Sequence, residues 1–167
     1  SALLSNTTGI NNSAFGKGAL QNNTIGTGNT AVGVASLFYN TIGGNNSAFG
    51  YSSLVSNTIG VNNVAVGFSS LYYNTTGNNN TAVGNGTLQA NTKGEGNSAF
   101  GLNALLNNTT GNFNSAFGFY ALKSNTVVIR NVAVGNRALV NNTAGQFNCA
   151  IGYESLAQNT VGNNNTS

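Results

Sequence analysis

Glu95 and Glu154 are the two acidic side chains of this 167-residue chain, and a carboxylate pair is the minimal equipment for cleaving a glycosidic bond. That chemistry needs the carboxyl groups about 5–9.5 Å apart. Here 59 residues separate them. In a stack with a 17-residue repeat this is about 3.5 coils, or roughly 17 Å along the axis. Both are therefore expected to be solvated corner residues. With His and Asp absent and one Cys present, no hydrolase triad and no metal cluster can be assembled. The calcium-binding nonapeptide roll, which needs Asp, is excluded as well. Cys149 stands where other repeats place Ser, Thr or Val, so it reads as a packed small residue; a reactive thiol is the alternative. The glycines of "GTGNTAVG" lack a Walker lysine and a following helix, so no phosphate loop is expected. An enzyme is the least expected class, with no catalytic, cofactor or metal residues. The remaining chemistry-bearing motif is Asn-x-Ser/Thr. It makes Asn22, Asn45, Asn74, Asn79, Asn107 and Asn141 candidate glycosylation sites, although a chain this rich in Asn and Thr generates such triplets by chance.

What organises the chain is repetition. "NSAFG" fills residues 12–16, 46–50, 97–101 and 114–118; "NTAVG", "NVAVG" and "NCAIG" fill the matching slots, every step being 17 residues. The consensus is N-[STVC]-A-[FVI]-G-x-x-[AST]-L-x-x-N-T-x-G-x-x. Seventeen residues are too few for a helical-hairpin repeat. A Gly near the middle of each candidate helix would cost about 1 kcal/mol relative to Ala. Short runs between Gly and Asn corners suit strands. The expected fold is all-β: a β-solenoid, either parallel β-roll or β-helix, with one 17-residue coil per repeat and about ten coils stacked at the strand spacing. Residues 1–167 form one repetitive rod in this reading. Partial coils at both ends make it a segment of a longer fibre, able to stack end to end or to continue covalently in the same register.

The columns make further expectations. The two Asn columns should be ladders, each side-chain amide bonding to the coil beside it and to corner backbone. The Leu column, Leu3 to Leu156, should be core. Residues i and i+2 of a strand share a face. Ser precedes every Phe at that spacing (Ser13/Phe15, Ser47/Phe49, Ser98/Phe100, Ser115/Phe117), whereas Val is preceded by Thr or Val, and Ile151 by Cys149. The summed volume is roughly constant, as in a close-packed site. Phe15 and its equivalents are therefore expected to face inward with the Leu column, so that Phe49→Ala costs about 3–5 kcal/mol. The invariant Ala and Gly columns imply a close backbone neighbour, either the opposite wall of a narrow coil or a second chain.

The phrases resemble two families. "NSAFG" and "NTAVG" are similar to the Asn-Ser-x-Ala-x-Gly repeats in the β-roll heads of trimeric autotransporter adhesins. The fuller unit "NTTGNNNTAVGNGTLQ" resembles repeats of phage and large-virus tail-fibre proteins. The resemblance implies an extracellular, self-associating rod.

Function is then expected at the surface. Val34, Tyr51 and Phe68 follow the strand Gly in successive coils; Phe38, Val55 and Tyr72 recur four residues further on; Phe119 and Tyr120 form a second group. As outer stripes these are expected to pack rod against rod, with a stacking platform for sugars as the alternative. Net charge +3 spread over separate coils gives no nucleic-acid footprint. No apolar run approaches the roughly 18 residues of a membrane helix. The reading is a structural extracellular filament subunit whose partners are copies of itself, in a filament or trimer. Alternatives are a tail-fibre or adhesin segment binding a host surface or glycan, and, more remotely, an ice-binding solenoid using its Thr column.

Overall fold

The computed structural model describes residues 1–167. Nine three-residue strands form one parallel sheet in sequence order: β1 (Ser13–Phe15), β2 (Thr30–Val32), β3 (Ser47–Phe49), β4 (Val64–Val66), β5 (Thr81–Val83), β6 (Ser98–Phe100), β7 (Ser115–Phe117), β8 (Val132–Val134) and β9 (Cys149–Ile151). Each pairs with the next in 17-residue register, Ala14 beside Ala31 and so on to Ala133 beside Ala150. The fold is a β-solenoid, and its rungs span about 38 Å. About ten coils is a slight overcount. There are nine strands and eight complete steps between them, with Thr166 bridging to Cys149 beyond β9. Below, a coil begins at the Asn before its strand and takes that strand's number.

The core contains two apolar columns. The middle residue of every strand from Ala31 to Ala150 is fully buried, and opposite it lies the Leu column from Leu20 to Leu139, also fully buried. The invariant Ala therefore meets the far wall of its own narrow coil. For the strand Gly column both alternatives are corrected: its close neighbour is the backbone of the next coil, a Cβ on Gly33 colliding with the Gly50 carbonyl.

The first and third strand residues point outward. This corrects the expectation that Phe15 and its equivalents line the interior: Phe15 is 69% exposed, Phe49 41% and Val32 36%. The reason is width. With Leu projecting from one wall, a 17-residue coil leaves room for a methyl group on the other, so period-2 alternation puts Ala in and its two larger neighbours out.

The Leu column has an unexpected backbone. All ten of its residues, Leu3 to Leu156, have φ between 49° and 52°. This left-handed conformation turns the chain so that a corner residue points inward. It costs a non-Gly residue about 1–3 kcal/mol, against about 1.5–3 kcal/mol gained by burying Leu. Two further columns share it: one includes Ala35, Ser52, Tyr120 and Glu154, the other Asn45, Asn79, Phe113 and Arg130. None of the 25 non-Gly residues with positive φ is Val, Ile or Thr. Branching at Cβ is the feature this conformation tolerates least.

The Asn columns are ladders, as expected. In the first, Asn40 Nδ2 donates to Asn23 Oδ1 at 2.7 Å and to the carbonyl of Gly43 at 2.9 Å. In the second, Asn46 Nδ2 donates to the Gly60 carbonyl at 2.8 Å, while Asn29 Oδ1 accepts the Asn46 amide at 3.0 Å. Thr41 Oγ1 donates to the Thr58 carbonyl at 3.1 Å, and the rest of the Thr column repeats this bond with one omission. Those hydroxyls are tied to the rod, not displayed as a free array. The corner Gly of each coil leaves no space for Cβ: an added carbon on Gly60 would collide with Asn57 Oδ1 and the Gly77 carbonyl.

Coil 7 breaks that last rule, with Val128 in the Gly slot, and there the first Asn ladder and the Thr ladder are interrupted while the second Asn ladder passes through. Asn125 Oδ1 is buried without a partner, and Asn125 Nδ2 reaches the Val128 carbonyl at a stretched 3.4 Å. The bonds from the Thr126 amide, the Thr126 hydroxyl and the Val127 amide to the Thr143 carbonyl, formed by equivalent residues elsewhere, are missing.

Candidate functional site

Turning the first and third strand residues outward creates a surface that runs the length of the rod. Its central column is Phe15, Val32, Phe49, Val66, Val83, Phe100, Phe117, Val134 and Ile151. Through the middle of the rod most of these side chains remain 36–41% exposed despite having a neighbouring coil on either side. The Phe100 and Phe117 rings stack with centroids 4.9 Å apart and planes 7° from parallel. On one flank are the first strand residues, with Val132 37% exposed. On the other is the column after the strand Gly, in which Tyr51 and Phe68 stack at 5.5 Å and 12°.

Of the expected interface residues, Val34, Tyr51, Phe68 and Phe119 are exposed and join this face. Val55 does not: it is 7% exposed and belongs to the rod's own packing. Phe38 and Tyr72 are half-buried, each edge-on to an exposed neighbour, Tyr39 and Tyr73, at 4.8 and 4.6 Å. The Phe38 ring lies over Gly18 of the coil before. Tyr120 is half-buried, with its ring 4.0 Å from Phe119 and the Lys123 ammonium 4.5 Å away. The structure thus separates the two aromatic columns that the sequence suggested as one surface. It also adds the central column, which sequence reasoning had placed inside. A readable signal was available: the middle strand residue never changes from Ala, whereas the third varies between Phe, Val and Ile. Invariance marked the confined position.

A second apolar stripe, Ile25, Ile42 and Ile59, lies on another edge but gives way to Thr76 and Lys93. The strand face has no such interruption. Among its three outer columns one residue is charged, Lys17.

The two acids are not brought together. Glu95 lies exposed in a corner, its carboxylate accepting Asn78 Nδ2 at 3.3 Å; Glu154 pairs with Arg137 at 3.4 Å on the surface. Cys149 is half-buried in the first strand position of β9. Of the candidate glycosylation sites, Asn45, Asn79, Asn107 and Asn141 are exposed and Asn22 is half-buried. Asn74 is fully buried, and its Nδ2 donates to Asn57 Oδ1 and to the Gly77 carbonyl. It is a ladder residue that the folded rod cannot offer to a glycan. The chain contains no helix long and apolar enough to cross a membrane.

No family model, no curated protein and no solved structure matches this chain.

Proposed function

We propose that this chain is a structural subunit of an extracellular fibre, acting through its shape and by self-association along and beside the rod. The observation that carries this reading is the apolar strand face. Its central column is apolar in all nine coils, its three columns carry one charge, and at roughly 650 Å² per copy it lies above the few hundred Å² that a solitary soluble protein usually exposes. Axial association is supported by the coil itself. Each coil templates the next through the same backbone and Asn bonds. The exposed sequon residues Asn45, Asn79, Asn107 and Asn141 all lie outside the apolar columns, so glycans there would leave the face free.

Electron microscopy with sedimentation tests this reading. Uniform filaments or a concentration-dependent assembly are expected. A stable monomer at micromolar concentration would refute it. The stacked Tyr51–Phe68 pair favours one alternative, a tail-fibre or adhesin segment that holds a sugar ring against those planes. Glycan-array binding abolished by Tyr51→Ala, in a protein that does not assemble, would establish that instead.

A further inference from the structure

The first and third residues of each strand compensate in size, and both face outward. Phe15 accompanies Ser13, and Phe49 accompanies Ser47; Val32 accompanies Thr30, Val66 accompanies Val64, and Ile151 accompanies Cys149. Solvent places no constraint on the summed volume of two exposed side chains. A layer of constant thickness does. The compensation also runs within a coil and not between neighbours: β6 and β7 are adjacent, and both carry Ser with Phe.

We propose that the strand face is covered by the same face of a second copy, with the twofold axis parallel to the rods. Such an axis keeps equal coils opposite one another but reverses the strand direction. The third strand residue of one copy then lies over the first strand residue of the other: Phe49 over the partner's Ser47, Val66 over the partner's Val64, Ile151 over the partner's Cys149. The sum that each coil holds constant becomes the thickness of the two contacts that coil makes, so two sheets can lie flat at the ~10 Å spacing of packed β-layers. Rods related the other way, antiparallel along their length, would set third residue over third residue and leave the pairing within a coil unexplained. This isologous arrangement is the commonest form of oligomer symmetry. Nine rungs at ~4.8 Å, each about 15 Å wide, give roughly 1,300 Å² over both copies, within the range of specific interfaces. Lys17 lies in a flanking column, so its two copies fall on opposite rims of the pair.

The proposal rests on the self-association reading and specifies its lateral contact, and cross-linking separates the two. In a Cys149→Ser background, Ser47→Cys and Phe49→Cys variants are prepared separately; both sites face outward, so the rod is retained. Mild oxidation of the mixture is expected to form covalent dimer about tenfold or more faster than either variant alone, because pairing holds the two thiols at high effective concentration. Ser47→Arg is expected to abolish lateral pairing in sedimentation and leave the β-sheet circular dichroism unchanged. No preferential mixed cross-link, or unaltered pairing of Ser47→Arg, overturns the proposal. Preferential cross-linking of Phe49→Cys to Phe117→Cys, which antiparallel rods in full overlap would set opposite each other, overturns it in favour of that arrangement. If filaments persist in any of these failures, the self-association reading stands; if assembly is absent altogether, both fall.

Discussion

At the scale of the residue, the Leu column shows that a core position can be chosen by backbone angle as much as by hydrophobicity. A buried site of this volume would normally accept Ile at a cost below about 1.5 kcal/mol. Here φ near +50° makes a branched Cβ clash with its own backbone. Leu88→Ile is therefore expected to destabilise the rod by about 2–3 kcal/mol. Leu88→Met, unbranched at Cβ, should lose less than about 1.5 kcal/mol. Urea denaturation of the two variants checks this, and equal losses would mean the left-handed angle carries no penalty. The third strand residue presents the opposite case. Phe49 is large and regularly repeated, yet it is 41% exposed. In dilute solution Phe49→Ala should cost about 1 kcal/mol, well short of the 3–5 kcal/mol of a buried Phe, while assembly should require higher protein concentration. Sedimentation at graded concentration, read beside the denaturation curve, separates the two effects.

At the scale of the element, a coil is held by ladders that pass through a fixed set of atoms, and one misplaced Cβ interrupts several together. Val128 does this. Asn125 Oδ1 is left unpaired, and three bonds to the Thr143 carbonyl are not made. Val128→Gly should restore them. Each restored bond contributes about 1 kcal/mol, and relief of a buried unsatisfied acceptor contributes at the upper end of that range. Against this stand about 1.5–2 kcal/mol of lost Val burial and about 0.5–1 kcal/mol of extra chain entropy for Gly. The expected net is a gain of about 1.5–2.5 kcal/mol, visible as a raised thermal midpoint. A lowered midpoint would show that Val128 contributes more through its own packing than it displaces.

At the scale of the whole molecule, each coil touches only its neighbours, so stability is a sum of coil and interface terms along one dimension. The seam between coils 7 and 8 is the weakest interior interface by its hydrogen bonds. Native-state hydrogen exchange should therefore show the amides of β8 and β9 opening as a separate, less protected unit, while β3 to β6 exchange together and most slowly. Val128→Gly should merge the two units. Uniform protection from β3 to β9 in the parent chain would refute the seam.

The sequence by itself determined the period, the strand class, the parallel register, the Asn ladders and the Leu core. A fixed 17-residue spacing, with the same polar or apolar atom at each return, admits few other ways to satisfy buried backbone and amide groups. Positive-φ columns were legible too, as columns that avoid Val, Ile and Thr in a chain rich in Thr and Val. The volume compensation between strand residues was also visible, but its location was not. Periodicity of two states that Ser13 and Phe15 share a face without saying which face it is. That depended on the distance between the walls of the coil. The left-handed turn at Leu sets that distance, which leaves room for Ala and nothing larger. Tertiary structure therefore decided which columns are core and which are surface, and with them where another copy of the chain could pack.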